Sequence, residues 1–263
     1  MTTPTAISCE AIRVACQNCA LRALCLPMGL APEDVDRLDN IIKRSRPLGG
    51  GEHLFRKGER FRSLYVLNSG SAETYVGNAD GDAQVLGFHL PGEIIGFDAI
   101  EKNTHACSAK ALDTSSVCEV PYDRLEELST AMPSLQHQMY RLLSKVISHD
   151  NEMLFVLAGK NADERLAAFL INISGRLRKR GLCATDFDLC MPRCDIANYL
   201  GLSAQTVSRR FTHLQKKGLL KIARKHVHLL DIPALEAMVA ATPAATINPG
   251  SPDANQSTST LPV

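Results

Sequence analysis

The sequence lacks the features that mark membrane and secreted proteins. No apolar run approaches the roughly 20 residues that a membrane-spanning helix requires. The N-terminus has no basic segment followed by an apolar core, so no signal peptide is expected. These absences predict a cytoplasmic protein with no membrane partner. In that reducing compartment, the nine cysteines of the chain do not indicate disulfide bonds.

The common motifs of enzymes are also missing. The sequence contains no nucleophile elbow, no phosphate-cradling glycine loop and no zinc-protease helix. The histidines are scattered, and a lone histidine is more often a surface or core residue than a catalytic one. We therefore predict that the protein is not an enzyme.

The chain has almost no net charge, but the charge is unevenly distributed. Residues 161–230 contain 13 Lys and Arg against 5 Asp and Glu, an excess of +8, so the remainder carries −7 to give the total of +1. A basic block in a neutral protein is typical of a nucleic-acid-binding domain, although a solvated surface has the same composition. The length suits two modest domains of roughly 100–200 residues each.

Four cysteines have a spacing that favours metal binding. Cys16, Cys19 and Cys25 lie within ten residues, and Cys118 follows much later in the chain. Thiolates placed this closely outside a secretory context are more often metal ligands than disulfide partners. The other cysteines have no comparable pattern and are interpreted as small buried residues or idle thiols. They are Cys9, Cys107, Cys183, Cys190 and Cys194.

The pattern of apolar residues and turns predicts an α+β fold. From about Leu48 to Pro121, short apolar segments alternate with glycine-containing turns, which is typical of a small antiparallel β-barrel or β-roll. From Pro133 to about Gly159, apolar residues recur at helical spacing without an internal break, which predicts one long helix. Residues after about Ala241 are rich in Pro, Ser and Thr and are predicted to be disordered.

The long helix carries the alternating three- and four-residue spacing of a coiled coil, which we call the seam. The seam residues are Tyr140, Leu143, Ile147, Asp150, Leu154 and Leu157. Two facing Asp150 carboxylates in a dimer repel each other and lose hydration, which weakens the dimer. The alternative is that Asp150 lies solvated at the rim of the seam. A second stripe, which includes Leu142 and Met153, is expected to pack against the barrel.

A helix-turn-helix with a β wing is predicted near the C-terminus. A short helix is followed by Gly201, which suits a left-handed turn, and by Ser203, a good N-cap for a helix over Ala204–Lys216. The second helix of this motif enters the major groove of DNA. The candidate DNA-contacting residues are Gln205, Thr206, Ser208, Arg209 and Arg210. Arg209 suits a guanine, Gln205 suits an adenine, and Arg210 suits a phosphate.

Seven segments together resemble the CRP/FNR superfamily and, within it, the branch of the fumarate and nitrate reductase regulator (FNR). They are CQNCALRALC, LDNIIKR, LFRKG, GFHLPGEIIGFDAI, CEVPYDRLEEL, KNADERLAAFL and DIANYLGLSAQTVSR. The resemblance covers about Cys16 to Met238. It implies a cysteine-rich segment (1–30), a β-roll sensory domain (31–130), a dimerisation helix (131–160) and a winged helix-turn-helix domain (161–240). The disordered tail predicted from composition then spans residues 241–263.

The resemblance further implies that Cys16, Cys19, Cys25 and Cys118 hold a [4Fe–4S] cluster, since four thiolates satisfy such a cluster. It implies an oxygen-responsive homodimer that binds a palindromic promoter site when the cluster is intact. Relatives touch RNA polymerase where the loop Asn78–Gln84 lies. Zinc is an alternative ligand for four cysteines, but structural zinc sites usually pair two short Cys-x-x-Cys units. A regulator with zinc, thiol-redox or small-molecule input is therefore the alternative function.

Two positions depart from the wider family. Relatives that bind cyclic nucleotides hold the phosphate with an Arg-Ser pair where this chain has Ser108 and Ala109, so we expect no cyclic nucleotide. FNR-type relatives have an acidic residue where Gln205 stands. An amide both donates and accepts hydrogen bonds, so the sequence leaves open whether the family's usual half-site TTGAT holds at the contacted base pair.

Overall fold

The structure is a computed structural model that describes residues 14–77 and 83–240. The expectations for residues 1–13 and for the tail 241–263 lie outside the described residues, as does most of the Asn78–Gln84 loop. A short 3₁₀ helix (Cys16–Asn18) precedes the first α-helix. The α-helices are α1 (Pro32–Ile41), α2 (Tyr122–Ala131), α3 (Pro133–Gly159), α4 (Ala162–Lys179), α5 (Arg193–Tyr199), α6 (Ala204–Lys216) and α7 (Ile232–Ala240).

The strands form three antiparallel sheets. They are β1 (Lys43–Arg44), β2 (His53–Phe55), β3 (Ser63–Ser69), β4 (Ala72–Gly77), β5 (Ala83–His89), β6 (Ile94–Ile95), β7 (Ser108–Ala111), β8 (Ser116–Pro121), β9 (Asp186–Asp188), β10 (Leu220–Ala223) and β11 (His226–Leu229). Two four-stranded sheets, in the orders β1-β8-β3-β6 and β2-β7-β4-β5, make a β-roll, and β10-β11-β9 makes a small C-terminal sheet. This arrangement confirms the predicted α+β fold.

The β-roll depends on tight turns between its strands. Gly70 joins β3 to β4 with a φ of +81°, and a Cβ atom there would lie 2.3 Å from the Ser115 hydroxyl oxygen and 2.6 Å from the Thr114 carbonyl oxygen. Only glycine combines the left-handed backbone with this close approach. Between the sheets, residues such as Leu67, Ile95 and Ala109 are fully buried.

Helix α3 leaves the β-roll after its first turns. It begins with Pro133 in its first turn and buries Leu135, Gln138 and Leu142. On another side of the same helix, three apolar seam residues are mainly exposed: Tyr140 (60%), Ile147 (59%) and Leu154 (64%). A helix that exposes a continuous apolar seam in a single chain has a face suited to pairing with a second helix.

The second stripe of α3 divides between two partners. Leu142 packs into a core shared with the β-roll, as expected. Met153 instead packs against a core that contains α4 and strand β5, because α4 folds back beside α3. The expectation that the whole stripe faces the barrel is therefore correct only for its first part.

The C-terminal elements form a helix-turn-helix with a wing. Helix α4 begins with a capping box in which the Asn161 side chain accepts from the Glu164 backbone amide, while the Glu164 side chain accepts from the Asn161 amide. Gly201 has a φ of +63°, as the turn between α5 and α6 requires. The Ser203 hydroxyl accepts from the Thr206 amide at 3.1 Å and caps α6.

The C-terminal helix-turn-helix domain, the predicted DNA-reading domain that contains α4 to α7, packs directly against the β-roll. Val85, Phe88 and Leu90 of the roll belong to the same buried core as α4 and α5. Asn198 of α5 accepts from the Val85 amide at 2.6 Å and donates to the Ala83 carbonyl at 2.7 Å. Because these bonds satisfy the edge of β5, the two parts of the chain form one continuous packing unit. No helix within residues 14–77 and 83–240 has the length and apolar character to cross a bilayer.

Candidate functional site

The structure brings the four candidate cysteines to one cavity. Cys16, Cys19 and Cys25 lie on the N-terminal segment, and Cys118 lies on strand β8. All four are free thiols that line the same cavity between this segment and the β3–β8 face. The fold therefore brings together cysteines from distant parts of the chain, and their predicted role as ligands stays a prediction.

Neighbouring polar groups hold this segment in place. The Cys16 amide donates to the Asp39 carboxylate at 2.9 Å. Asp39 forms an ion pair with Arg44, whose guanidinium also approaches the Cys16 sulfur at 3.6 Å. Arg44 pairs with Cys118 across the β1–β8 ladder. The ion pair between Asp39 and Arg44 thus links Cys16 to strand β1, which pairs with the strand that carries Cys118.

Helix α3 also contacts the cysteine segment. The buried Gln138 side chain donates to the Cys25 carbonyl oxygen at 3.3 Å. On the opposite side, the Cys19 sulfur lies 3.8 Å from the Asn68 side-chain oxygen at the end of β3. The cysteine segment therefore lies between the β-roll and the start of the helix that carries the exposed seam.

Burial raises the pKa of the Cys16, Cys25 and Cys118 thiols. Burial, together with the hydrogen bond and charge of Asp39, raises the pKa of Cys16 far above its usual value. Burial and the neighbouring Cys118 and Cys19 raise the pKa of Cys25 to about 12. Burial also raises the pKa of Cys118, while Arg44 acts in the opposite direction. Four neighbouring thiolates repel one another, so their ionisation requires a cation such as a metal or cluster.

Zinc and an iron–sulfur cluster require different arrangements of their cysteine ligands. No three His, Cys, Asp or Glu side chains in the described part of the chain are arranged to hold a single metal ion. The four sulfurs of a zinc site stand only about 3.8 Å apart, as follows from tetrahedral Zn–S bonds of about 2.3 Å. The four thiolates of a [4Fe–4S] cluster instead attach to different irons.

The second candidate site is the outer face of α6. Val207, Phe211 and Leu214 are buried against the domain core, which turns the opposite face of the helix to the surface. Gln205, Ser208 and Arg209 are exposed there, and Thr206 is half-buried beside its cap. These residues follow the helical period, so Gln205 and Arg209 lie one turn apart. This exposed face is polar and basic, as is typical of the second helix of a helix-turn-helix.

Arg210 has a partner within the chain. Its guanidinium lies 3.5 Å from the Asp163 carboxylate at the start of α4, and the His213 ring also lies 3.5 Å from Asp163. Arg210 is therefore partly engaged in bracing α6 against α4. Its predicted phosphate contact stays a prediction, as do the DNA contacts of the other four residues.

Several site residues were missed by the sequence reasoning. Asp39, Arg44, Asn68 and Gln138 touch the cysteine segment, and none of them lies in a cysteine motif. Arg44 could have been suspected, because a cation within the LDNIIKR segment suits the negative charge of thiolates. No spacing signal marks Gln138, since its role depends on how α3 packs.

Comparison with protein families matches two parts of the chain. The cyclic nucleotide-binding domain model matches residues 45–131, which contain the β-roll. The Crp-like helix-turn-helix domain model matches residues 164–238, which contain α4 to α7 and the wing. The structure of FixK2 from Bradyrhizobium japonicum has a TM-score of 0.71 and 26% identity, and the match covers 77% of this chain and 100% of that chain.

Relatives of similar length are transcription factors. The transcriptional activator protein anr of Pseudomonas aeruginosa is 48% identical over 216 residues, which are 82% of this chain and 88% of the relative. The fumarate and nitrate reduction regulatory protein of Escherichia coli strain K12 is 44% identical over 227 residues, which are 86% and 91% of the two chains. Both relatives are named as regulators, and this chain matches the Crp-like helix-turn-helix model. These findings confirm the predictions that the chain is a transcriptional regulator and that it is not an enzyme. The chain belongs to the CRP/FNR family of transcriptional regulators, within its FNR-type branch.

Proposed function

We propose that this regulator senses oxygen through a [4Fe–4S] cluster held by Cys16, Cys19, Cys25 and Cys118. The observation that carries the proposal is the shared cavity, which is lined by four free thiols from two distant parts of the chain. When bound, the cluster supplies an oxygen-labile link between the N-terminal segment and β8. The residues around the cysteines, along α3 and on α6 determine how this link affects DNA binding.

The first consequence concerns the position of the cysteine segment. Cys16 lies in a short 3₁₀ helix and Cys19 and Cys25 lie outside regular helices and strands, whereas Cys118 lies in the middle of a sheet. Anchoring the three to Cys118 restrains the segment beneath Gln138, which contacts the Cys25 carbonyl. The start of α3 is thereby held in one orientation relative to the β-roll.

The second consequence concerns dimerisation. In this proposal two subunits pair along the seam of α3, whose Tyr140, Ile147 and Leu154 side chains are exposed in the single chain. Asp150 lies within the same seam and opposes pairing when it is ionised. Because attraction and repulsion nearly balance, a modest change in α3 decides whether the homodimer forms.

The third consequence concerns DNA. A dimer presents two α6 helices about one turn of DNA apart, which matches a palindromic promoter site. We propose that Gln205, Thr206, Ser208, Arg209 and Arg210 contact this site, that RNA polymerase is the further partner at the promoter, and that the protein acts in the cytoplasm. Loss of the cluster in oxygen separates the subunits and releases the site.

The sensory domain is proposed not to take a cyclic nucleotide. Ser108 stands where a phosphate-binding arginine is expected, and its hydroxyl accepts from the Lys57 amide at 2.9 Å. Ala109 is fully buried and has no polar side chain. An anionic phosphate would lack a charged partner at these positions. Zinc binding or thiol oxidation at the same four cysteines remains the alternative input, and it predicts a different metal content.

The test is an anaerobic purification followed by exposure to air. Protein purified without oxygen should be coloured, contain about four irons and four sulfides per chain, and bind its promoter as a dimer. Air should remove the colour, the dimer and the DNA binding together. Cys118→Ser should abolish iron retention, while the matched control Cys183→Ser, an exposed cysteine outside the site, should not. Colourless protein with one zinc per chain, or equal DNA binding with and without air, would contradict the proposal.

A further inference from the structure

The turn at residues 90–93 touches both the cysteine site and the DNA-reading domain. It joins β5 to β6, and its backbone is held by Leu67 of β3. The Gly92 amide donates to the Leu67 carbonyl at 2.6 Å, and the Leu67 amide donates to the Glu93 carbonyl at 3.0 Å. Leu67 also lines the cavity of the four cysteines. The turn is therefore fixed to one wall of that cavity.

The cysteine segment packs directly against this turn. Leu21 and Leu24 lie between Cys19 and Cys25, and both approach Gly92. A Cβ atom at Gly92 would lie 3.1 Å from the Leu24 Cβ and 3.8 Å from the Leu21 Cβ. Gly92 also has a φ of +88°. Since protein interiors are close-packed, movement of the segment that carries Leu24 alters the space available to the turn.

The other side of the turn binds α4 of the DNA-reading domain. The Glu93 carboxylate accepts from Arg176 Nε at 3.0 Å and Nη2 at 2.5 Å, and from Arg180 Nη2 at 2.6 Å. Arg180 Nε also donates to the Pro91 carbonyl at 2.6 Å. The two arginine side chains are only 15% and 5% exposed. One carboxylate thus satisfies two largely buried guanidinium groups across a domain boundary.

This contact is directional and continues toward α3. Charge-assisted bonds from a planar guanidinium require a fixed orientation of the carboxylate. Arg176 also donates to the Asn172 side-chain oxygen at 3.4 Å, and the Asn172 amide nitrogen lies 3.5 Å from the His149 ring on α3. A shift of the turn must therefore either carry α4 with it or leave buried charges without partners, which is unfavourable.

We propose that the turn at residues 90–93 is a relay that couples the cysteine segment to the position of α4 within a single subunit. Leu24 acts on Gly92, and Glu93 is the positioning residue that transmits the movement to Arg176 and Arg180. The coupling rests on the contacts alone, while its use as an oxygen signal rests on the proposed function. The relay gives the DNA-reading domain a second source of control that does not require dimerisation.

A double-mutant cycle tests the relay in the metal-free full-length protein. The variants are Leu24→Ala, Glu93→Gln and the two combined, and the measurement is amide hydrogen exchange in the second half of α4. Leu24→Ala should change these exchange rates by about threefold or more when Glu93 is present, as expected for contacting residues that share one network. The same substitution should have little effect in the Glu93→Gln background.

A matched control removes a similar ion pair that does not face α4. Glu52 accepts from Arg46 and from the Gly49 amide on the exposed side of the roll, so Glu52→Gln should leave the effect of Leu24→Ala unchanged. Arg180→Gln removes one partner from the other side and should suppress the effect as Glu93→Gln does. An equal effect of Leu24→Ala in every background, or no effect in any, would overturn the relay.

A second arm separates the relay from the proposed function. In the Ile147→Glu background, which blocks the seam, anaerobic reconstitution with iron and sulfide should change α4 exchange only when Glu93 is intact. Iron uptake with no dependence on Glu93 would overturn the relay and leave the proposed function standing. If the wild-type protein takes up no iron, the proposed function fails, and the Leu24 cycle still decides the relay.

Discussion

Single residues at both sites owe their chemistry to neighbours that are distant in sequence. Asp39 and Arg44 approach Cys16 because α1 packs beside the 3₁₀ helix that begins at Cys16, and not because of any local spacing. Arg210 is the reverse case, since a residue in a DNA-contacting motif has a carboxylate partner at Asp163. Arg209 is exposed, and no salt bridge involving it occurs in the described part of the chain. It is therefore the arginine of α6 best placed to read a base.

Replacing Arg209 should weaken and broaden DNA recognition. A bidentate arginine–guanine contact discriminates by about 1–3 kcal/mol, so Arg209→Ala should lose affinity of that order and tolerate substitution at one base pair. The measurement is fluorescence anisotropy with a promoter fragment selected in vitro and its single-base variants. Arg46→Ala, which lies on the roll, is the control. A uniform loss across all base variants would show that Arg209 contacts phosphate instead.

Protonation of Glu93 at low pH should lower the folding stability of the metal-free protein. Burial alone would raise the pKa of Glu93, but Arg176 and Arg180 outweigh it and lower the pKa to about 2. A depressed carboxyl pKa stabilises the fold above its unfolded value of about 4.3, and the contribution disappears as pH falls toward 2. The loss amounts to about 3 kcal/mol, at about 1.4 kcal/mol for each pH unit of the shift.

Urea unfolding at several pH values checks this expectation. The wild type should lose stability more steeply than Glu93→Gln between about pH 5 and pH 2, because only the wild type protonates this carboxyl. Glu52→Gln provides the control at an exposed ion pair. Parallel pH profiles of wild type and Glu93→Gln would mean that the ion pair contributes nothing to folding.

At the scale of elements, α3 has two different ends. Its first turns are buried against the β-roll and the cysteine segment through Leu135, Gln138 and Leu142. Its later turns expose apolar residues on one side and pack Met153 toward α4 on the other. Helix α3 therefore contacts both the cysteine segment and the DNA-reading domain, and it also carries the predicted dimer interface. The relay through Glu93 runs beside this helix and joins the same parts by a separate route.

Replacing Asp150 should strengthen the dimer in air. Partial burial raises the pKa of Asp150 above its usual value, and pairing of two seams would bring two such carboxyl groups together. Asp150→Ala removes this repulsion, and the association constant should rise about tenfold, equivalent to about 1.4 kcal/mol. Sedimentation velocity of air-exposed protein measures the change. Glu152→Ala removes an exposed carboxylate outside the seam, and an equal effect of the two variants would argue against repulsion at the seam.

At the scale of the whole molecule, charge is segregated although its sum is close to zero. The excess of +8 within residues 161–230 lies in the domain that carries α6 and the wing, and the remainder of the chain is negative. Such a distribution steers the domain toward DNA and leaves the protein as a whole nearly neutral. Binding that neutralises phosphates releases counterions, so affinity depends on salt.

Replacing Lys216 tests whether the positive charge of this domain contributes to the salt-dependent affinity for DNA. It is exposed at the end of α6, where it suits a phosphate rather than a base. Lys216→Ala should weaken binding equally for all base variants and reduce the slope of log K against log salt by about 1 per subunit. Titrations at several salt concentrations measure this slope, with Lys145→Ala on α3 as the control. An unchanged slope would place Lys216 away from the DNA backbone.

Much of this protein follows from local patterns in its sequence. The α3 bounds, the capped α6 helix with its buried Val207, Phe211 and Leu214, and the turn at Gly201 depend on periodicity and capping, which act over a few residues. The β-roll was indicated by regular turns, and the four cysteines by their spacing and family resemblance. Each of these signals depends on residues that are close together in the sequence, so it can be recognised without knowing the fold.

Only the tertiary structure decided which distant groups meet. Asp39, Arg44 and Gln138 contact the cysteine segment although they lie far from it in the sequence. Asp163 pairs with Arg210, and Glu93 binds two arginines at the end of α4. All these contacts form because strands and helices that are far apart in the chain pack together. Side-chain packing and buried ion pairs form between surfaces, and their partners leave no period in the sequence. The sequence by itself therefore determined the elements and the candidate ligands, whereas long-range packing determined how those sites are connected.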